Sequence, residues 1–348
     1  MQLERFDPVT DRRHLEACYR MFEAAMAVDD PRGPILPRAA SPSALDPPVR
    51  GLLQGRRSFC GYWAQGLDGN PQQTWLAIGA NGEPAGCAVV ELPERDNTDV
   101  VHAFVVVPPR HRRAGIGRAL VAHCADEASR AGRSLLLAEI RDTTAGAAFA
   151  RALGAEPGPS DLRLVLDVDA GLAPRLADLR RQAERKASGY SLVSWCGDAP
   201  ADHPDQVAAV LAAIADAPRP AAMAAEAWDG ARVVADDARH RAQGLVVHTV
   251  AARHDDSGRL AALTQVCVDP QVAGWAFQLI TAVERPHRGH NLGLLVKVAM
   301  HASLTRPPAQ LRRIMTTNGG TNQHMLAVNQ ELGYRTTDTF TAWELPLH

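Results

Sequence analysis

The sequence lacks an excess of either charge, since 37 lysine and arginine residues stand against 39 aspartate and glutamate residues. This balance gives no reason to expect general attraction to nucleic acid or to an anionic membrane surface. The sequence also lacks an apolar run approaching the ~18 residues of a membrane span, and its first ten residues lack the apolar core of a signal peptide. We therefore expect a cytoplasmic protein that binds neither nucleic acid nor membrane.

The six cysteines are scattered, without a C-x-x-C pair or a Cys/His spacing that suits zinc. This pattern predicts reduced thiols and no metal site. With 348 residues the chain is long for one domain, and its apolar content is ample for two cores. Two domains are therefore the starting expectation.

The most informative stretch runs from residue 100 to residue 131. It begins with apolar β-branched residues, breaks at two prolines, turns through R-x-x-G-x-G at residues 112–117 and continues with helical periodicity. A strand, a turn and a helix are therefore predicted. The two glycines let backbone N–H groups approach a ligand where a helix begins, and a helix N-terminus favours a phosphate. A tight strand-to-helix turn without a ligand is the alternative.

The glycine spacing excludes two common phosphate loops. A dinucleotide fingerprint would need a third glycine at Leu120, and a Walker loop would need Gly-Lys followed by Ser or Thr where Arg118 and Ala119 stand. The stretch instead resembles motif A of the GNAT N-acetyltransferases, in which this loop grips the pyrophosphate of acetyl-CoA. The resemblance implies acetyl-CoA as cosubstrate, and it implies that the backbone of Val105 and Val107 binds the pantetheine arm.

The order of predicted elements is repeated in the second half of the chain. Each half contains a central strand, a loop and a helix, followed by a further strand and a short helix that ends at a Leu-Gly pair. Arg112 and Arg288 of the two loops lie 176 positions apart, whereas Gly154 and Gly333 of the two Leu-Gly pairs lie 179 apart. Two landmarks at nearly the same offset indicate an internal duplication.

Across nearly its whole length the chain resembles tandem-repeat GNAT proteins of the actinobacterial type. The second repeat contributes T-A-V-x-x-x-H-R-G-H-x-L-G from Thr281 and N-x-x-M-x-x-V-N-x-x-L-G-Y from Asn322. The implied fold is α/β (α+β), with two GNAT-like mixed-sheet domains in tandem. We expect an N-terminal domain at residues 1–170, a linker helix at 171–187 and a C-terminal domain at 188–348.

The resemblance implies an N-acetyltransferase that moves an acetyl group to a primary amine of a small molecule or peptide by direct attack in a ternary complex. A monomer or homodimer is expected. A non-catalytic acyl-CoA-binding module and a transferase with another acyl donor or acceptor are the alternatives. The acceptor pocket is expected to be walled by the Pro-rich segment at residues 31–48 and by residues 228–253.

The resemblance also assigns a coenzyme site to each repeat. In the first repeat the implied cofactor-binding residues are Val105, Val107, Arg112, Arg113, Ala114, Gly115, Ile116, Gly117 and Arg118. In the second repeat they are Thr281, Val283, Arg288, Gly289, His290, Asn291, Leu292 and Gly293. Asn291 stands where the first loop has Gly115, and its amide can still point at a phosphate if the backbone stays right-handed.

The catalytic centre is harder to assign. In many family members a tyrosine four residues before the glycine of the Leu-Gly pair protonates the leaving thiolate, but this chain has Ala150 and Asn329 there. Asn329 can donate an N–H to sulfur, so a polar reaction centre is expected in the second repeat and coenzyme binding in the first. The predicted catalytic set is Asn329, Asn322 and Glu139.

Each remaining candidate has a structural alternative. Glu139, near the end of a buried strand, is a candidate base or one half of an ion pair with an arginine. Asn322 is a residue beside the cofactor or a cap of the last helix, with His324 close by. Further polar candidates lie on the two central strands and in the second loop: His102, Gln278, His287 and His290.

Overall fold

The computed structural model describes residues 1–30, 70–142, 144–216, 223–270, 272–305 and 311–347. The predicted pocket wall at residues 31–48 lies outside these ranges. The chain divides into two compact units, the first formed by Met1–Ser160 with Thr339–His348 and the second by Asp161–Asp338. They are called unit 1 and unit 2 below.

Both units are built from strands and helices. The strands are β1 (Gln2–Phe6), β2 (Gln72–Ile78), β3 (Pro84–Glu91), β4 (Val100–Val106), β5 (Leu135–Arg141), β6 (Glu156–Asp167), β7 (Tyr190–Cys196), β8 (Val246–His254), β9 (Leu260–Val268), β10 (Trp275–Val283), β11 (Arg313–Gly319) and β12 (Arg335–Pro346). The helices are α1 (Arg12–Asp29), α2 (Ile116–Arg130), α3 (Ala145–Ala152), α4 (Leu172–Lys186), α5 (Pro204–Ala212), α6 (Gly230–Ala242), α7 (Leu292–Leu304) and α8 (Gln323–Leu332).

The sheet of unit 1 runs in the order β1-β2-β3-β4-β5-β12. The pairing is antiparallel except between β4 and β5, which are parallel. Alternate side chains of β3 enter two different cores, because Val89 packs with α1 whereas Val90 packs with α2. The sheet is therefore covered by helices on both faces.

Unit 2 repeats this plan with the order β6-β11-β10-β9-β8-β7. Its parallel pair is β10 with β11, and the other pairs are antiparallel. The helices α4, α7 and α8 contribute to one core, in which Leu176, Val296 and Leu332 are buried, and α5 contributes to a second core. The same arrangement of strands and helices in both units agrees with the predicted duplication.

The sheet of unit 1 does not end with the residues that the expected boundary at residue 170 implies. Residues 161–167 of β6 pair with β11, from Asp161 opposite Gly319 to Asp167 opposite Arg313, and so belong to unit 2. The sheet of unit 1 is completed by the end of the chain, where β12 pairs with β5. The division therefore differs from the expected boundaries at residues 170 and 188, and the expected linker helix is α4, part of the unit 2 core.

The reason is that apolar alternation identifies a strand without identifying its neighbour. An antiparallel edge offers the same backbone ladder to any strand, so buried side chains decide the pairing. Leu164 and Leu166 of β6 are 1% exposed and pack in the main core of unit 2. The expected wall at residues 228–253 is also regular structure, namely α6, capped by the Asp229 side chain on the Arg232 amide, followed by β8.

A tryptophan in β12 tests this division. Trp343 is 2% exposed and packs against Ala147 and Ala150 of α3. Trp343→Ala should cost ~3–5 kcal/mol, as expected for a buried aromatic side chain, and hydrogen exchange should show lost protection in β5 but not in β11. The matched variant Trp275→Ala, in β10, should lower protection in unit 2 instead. Equal loss in both units after Trp343→Ala would contradict the division.

Candidate functional site

Each unit contains a gap between its two parallel strands, called the wedge below. Within the described residues, β4 pairs with β5 over Val100–His102, and β10 pairs with β11 over Trp275–Phe277. Both β4 and β10 continue beyond these pairs while hydrogen-bonded to their antiparallel neighbours. Because one edge of each continuing strand has left its parallel partner, its backbone groups are available to a ligand. The wedge thus contains the backbone of Val105 in unit 1 and of Thr281 in unit 2.

A buried glutamine stabilises the start of the wedge in unit 2. The pairing of β10 with β9 shifts register between Gln278 and Ile280, which indicates a β-bulge. The two N–H groups of Gln278 Nε2 are shared among three acceptors, namely Thr264 Oγ1 at 2.9 Å, the Gln265 carbonyl at 2.8 Å and the Ile280 carbonyl at 2.9 Å. Gln278 therefore holds the irregular backbone together, which is the structural alternative considered for it.

The loop after β4 leads to a helix beginning that no side chain caps. Gly115, with φ of 81°, is the residue before α2, and no side chain accepts from the first-turn N–H groups. A Cβ built on Gly115 would have no other heavy atom within 4 Å. The described residues thus leave space at Gly115, beside the first turn of α2, where an anion site at a helix N-terminus would lie.

The second loop reaches the same backbone conformation with different residues. Left-handed φ angles occur at Arg113 (68°) and Gly115 (81°) in the first loop, and at Gly289 (88°) and Asn291 (58°) in the second. Asn291 is therefore not right-handed, because asparagine tolerates the left-handed region better than most residues do. No side chain caps α7 either. Both loops consequently present first-turn amides in the same way.

The arginine of each loop is held by a carboxylate within its own unit. Arg112 donates from Nε to the Val107 carbonyl at 3.0 Å and from Nη1 to Asp29 at 2.9 Å. Arg288 donates in the same way to the Val283 carbonyl at 3.2 Å and to Asp216 at 2.6 Å. Each guanidinium group links its loop to the end of the preceding strand. We therefore expect each arginine to hold the loop backbone in its conformation.

Two arginines at the second loop, Arg285 and Arg288, share the carboxylate of Asp216. Hydrogen bonds from Arg285 and Arg288 hold the pKa of Asp216 well below its ordinary value. Asp216 therefore stays ionised wherever the protein is folded near neutral pH. The ion pair is exposed, so its main effect is on geometry rather than on stability.

The two loops differ in the charge that they expose. Arg113 and Arg118 are exposed beside the first-turn amides of α2, and Arg118 also donates to the Ala152 carbonyl at 3.3 Å. The counterparts in the second loop are Gly289 and Leu294. At these two positions the first loop therefore carries positive charge and the second does not.

The other loop residues shape the backbone rather than carry charge. Ile116 and Leu292 are buried beneath the first turns of α2 and α7, whereas Ala114 and His290 are exposed. A Cβ on Gly117 would lie 3.2 Å from the Phe149 ring, so a glycine is needed there for α3 to pack closely. Gly293 has looser surroundings, since its nearest atom would be a Val283 methyl group at 3.7 Å.

The positions four residues before the glycine of each Leu-Gly pair differ sharply between the units. Ala150 is 4% exposed and lies in an apolar cluster with Trp343. Asn329 is fully buried, accepts a hydrogen bond from the Lys297 ammonium at 2.7 Å and donates one to Asn318 Oδ1. Unit 2 therefore has a polar centre at this position, and unit 1 has an apolar one.

A buried lysine, which the sequence analysis did not single out, organises the polar centre. Lys297 is 1% exposed, and burial lowers its pKa to about 7. Burial, together with the charge of Lys297, lowers the pKa of His301 to about 3, so this imidazole is neutral. His301 Nδ1 lies 2.6 Å from the Lys297 carbonyl and must donate to it, so Nε2 accepts from the Tyr334 hydroxyl, also at 2.6 Å.

Comparison of the repeats supplies the signal that would have found this centre. The offset of 176 between the loops and that of 179 between the Leu-Gly pairs identify the residue of the first repeat that corresponds to each residue of the polar centre. All four of these counterparts are apolar. The polar residues Lys297, His301, Asn329 and Tyr334 correspond to Val121, Ala125, Ala150 and Ala155. The fold alone therefore does not require polar side chains at these positions.

The other predicted site residues are placed less favourably. Asn322 accepts from the Met325 amide at 3.3 Å and caps α8, as its structural alternative predicted. Glu139 is exposed on β5 opposite Ala342 of β12. His102 is half-buried on β4, and His324 is exposed on α8.

The histidines of the second loop gather around a tyrosine. The Tyr190 hydroxyl lies 2.8 Å from His287 Nδ1, and the Tyr190 ring lies 5.3 Å from the rings of His254 and His290. His287 is thus tied to the start of β7, whereas His290 remains exposed beside the first turn of α7.

Two searches concern the described part of the chain. No group of three or more His, Cys, Asp or Glu side chains there is arranged to hold a metal ion. None of the helices described is long and apolar enough to cross a membrane.

Comparison with known families and sequences gives two matches, each of which covers part of the chain. Residues 46–155 match the model of the acetyltransferase (GNAT) family. Streptothricin acetyltransferase from Streptomyces lavendulae is 37% identical over 87 residues, which are 25% of this chain and 45% of that protein. The chain thus matches less than half of the length of this curated relative.

Solved structures match over the full chain. A tandem GNAT protein from the clavulanic acid biosynthesis pathway has a TM-score of 0.75 and 25% identity, covering 100% of this chain and 98% of that one. A GCN5-related N-acetyltransferase from Sphaerobacter thermophilus has a TM-score of 0.67 and 15% identity, covering 100% and 96% of the two chains. The second likeness concerns the fold alone.

The buried lysine predicts a pH dependence of stability. Because the pKa of Lys297 is lowered from 10.5 to about 7 on folding, the unfolded chain binds more protons than the folded chain between these values. The free energy of unfolding should therefore rise from about pH 7 upward, by up to about 1.4 kcal/mol per pH unit, relative to Lys297→Met. Urea denaturation of both proteins at several pH values measures this difference. A difference that does not vary between about pH 7 and pH 9 would contradict the burial of this ammonium.

Proposed function

Residues 46–155 match the acetyltransferase (GNAT) family, and the chain has a tandem GNAT fold. From this premise we propose that the protein is an N-acetyltransferase. It transfers an acetyl group from acetyl-CoA to a primary amine of a small molecule or peptide. The observation that carries this proposal is a wedge that ends at an uncapped helix beginning in each unit. A wedge offers backbone groups to an extended arm, and the helix beginning offers amides to a diphosphate.

In this proposal the coenzyme is bound mainly by backbone. The first-turn amides of α2 and α7 hold the diphosphate, and Arg112 and Arg288 maintain the loop conformation through Val107 and Val283. The pantetheine arm lies along the free edge of β4 or β10. The exposed guanidinium groups of Arg113 and Arg118 favour unit 1 for tight binding.

The acetyl transfer itself is assigned to unit 2. The amine nitrogen attacks the thioester carbonyl carbon, the C–S bond breaks, and the sulfur leaves with the bonding electron pair as a thiolate. Asn329 can donate an N–H toward this sulfur, whereas the apolar Ala150 of unit 1 can neither donate nor protonate. Positioning and oriented dipoles supply the rest of the catalysis, with water as the proton source.

Unit 1 is then a coenzyme-binding unit without turnover. This second role is favoured by Ala150, which is packed against Trp343 in an apolar cluster. An acyl-CoA-binding module in which neither unit transfers is the competing function. A panel of amines that includes streptothricin, the substrate named for the relative in Streptomyces lavendulae, distinguishes enzyme from module by the release of CoA thiol.

Single aspartates test the two loops separately. Gly115→Asp and Asn291→Asp each place one negative charge at a left-handed position beside the first-turn amides. Each should weaken one of two acetyl-CoA binding events at least about tenfold, because the carboxylate repels the diphosphate. Isothermal titration calorimetry measures binding, and thiol release measures turnover. At acetyl-CoA concentrations below saturation, Asn291→Asp should lower turnover at least about tenfold, whereas Gly115→Asp should leave it unchanged.

Matched controls separate charge from backbone strain. Gly132→Asp has the same left-handed strain (φ 72°) in open space at the other end of α2, and Asn97→Asp repeats the asparagine change at φ 54° before β4. Both should bind two acetyl-CoA molecules as the unmodified protein does. Normal binding by Gly115→Asp would exclude the first loop as a coenzyme site, and normal turnover by Asn291→Asp would exclude unit 2 as the reacting unit.

A further inference from the structure

Three polar side chains form a directed series of hydrogen bonds in unit 2. Lys297 Nζ donates to Asn329 Oδ1 at 2.7 Å, and Asn329 Nδ2 donates to Asn318 Oδ1. These residues are called the amide chain below. Asn318 lies on β11 three residues beyond Met315, the last residue of β11 that pairs with β10. The amide chain therefore runs from the interior of the unit to the open part of the wedge.

The lysine fixes the direction of both amides. In its protonated form Lys297 can donate but cannot accept, so the Asn329 oxygen faces Lys297 and the Asn329 nitrogen faces Asn318. Asn318 then accepts with its oxygen, which leaves its own N–H groups as the end of the amide chain. Successive hydrogen bonds polarise one another in this direction, so these N–H groups become stronger donors.

The position of the lysine is itself well defined. Lys297 Nζ lies 5.3 Å from the centroid of the Tyr334 ring, a distance typical of a cation–π contact. Tyr334 is in turn fixed by its hydrogen bond with His301. Lys297 is therefore held between an aromatic face and the Asn329 oxygen.

The first repeat shows that this arrangement is not needed for folding. Its counterparts of Lys297, Asn329 and Tyr334 are Val121, Ala150 and Ala155. Burying an ammonium without a carboxylate is costly, and the cost is not recovered by one hydrogen bond to an amide. A buried lysine that the duplicated fold can do without indicates a role in chemistry.

We propose, on the basis of the proposed function, that Lys297 positions and polarises the Asn329 and Asn318 amides so that they stabilise the thiolate leaving in unit 2. When the amine nitrogen bonds to the carbonyl carbon and the C–S bond breaks, the bonding pair stays on sulfur, and the amine proton passes to water. The free backbone edge of β10 faces the acyl carbonyl on one side of the wedge. The amide chain meets the sulfur from the side of β11 and α8. Lys297 is a positioning residue, because it acts through Asn329.

An aspartate in the middle of the amide chain reverses its direction. Asn329→Asp keeps an acceptor for Lys297, so the buried ammonium remains paired and the unit should fold. The second carboxylate oxygen then faces Asn318, whose amide must turn and present its oxygen to the wedge. The kcat should fall about 100-fold, as for loss of an oxyanion donor, while acetyl-CoA affinity stays within about twofold. Lys297→Met should lower kcat about tenfold by releasing both amides.

The matched control lies at the equivalent position of the other repeat. Val121→Met changes the counterpart of Lys297 in unit 1 and should leave kcat unchanged. Unchanged kcat in Asn329→Asp would overturn the proposal. So would a parallel loss of turnover and acetyl-CoA binding, because that pattern indicates a merely structural role.

A measurement without turnover separates this proposal from the proposed function. In ¹⁵N-labelled protein, CoA should shift the side-chain amide resonance of Asn318, whereas desulfo-CoA, which lacks the sulfur, should not. The shift should disappear in Lys297→Met. If no amine is acetylated but CoA alone shifts the resonance, the transferase function fails and the amide chain stands as a sulfur-binding donor. Equal responses to CoA and desulfo-CoA would overturn the amide chain proposal whether or not turnover occurs.

Discussion

The departure of one parallel strand from its neighbour is the constraint on which both candidate sites depend. β4 and β10 leave β5 and β11 after three paired residues, and this separation exposes a backbone edge inside a sheet that is covered by helices. An exposed backbone edge in such a place needs another partner, which a ligand can supply. The bulge at Gln278 and the arginine at the end of each strand maintain the separation.

The loops show that backbone conformation has been kept while side chains have changed. Each loop needs two left-handed residues, and glycine fills a different one of the two positions in each repeat. Arginine and asparagine take the remaining positions at some cost in backbone strain. The same amide arrangement is therefore present in both loops, although the exposed Arg113 and Arg118 of the first loop correspond to the uncharged Gly289 and Leu294 of the second.

The sequence predicted the strand, loop and helix order of both repeats, because apolar periodicity and glycine positions are local properties. It did not predict β7, α5, α6 and β8, and it assigned residues 161–167 to the first domain, because strand pairing depends on distant side chains such as Leu164. At the site, Asn329 followed from its spacing to Gly333. Lys297 did not, since a lysine in a helix ordinarily lies in solvent, and its burial depends on Tyr334 and Asn329 from a distant segment.

The pairing of the last strands makes each unit depend on residues from the other half of the sequence. The sheet of unit 1 needs residues from the end of the chain, and that of unit 2 needs residues 161–167. Removing either half of the sequence would leave a sheet edge without its strand, which exposes unpaired backbone and favours aggregation. An apolar side chain at Ala150 does not affect this strand pairing, since the pairing involves other residues. The centres of the two units can therefore differ in polarity while each half of the sequence still needs the other to complete its sheet.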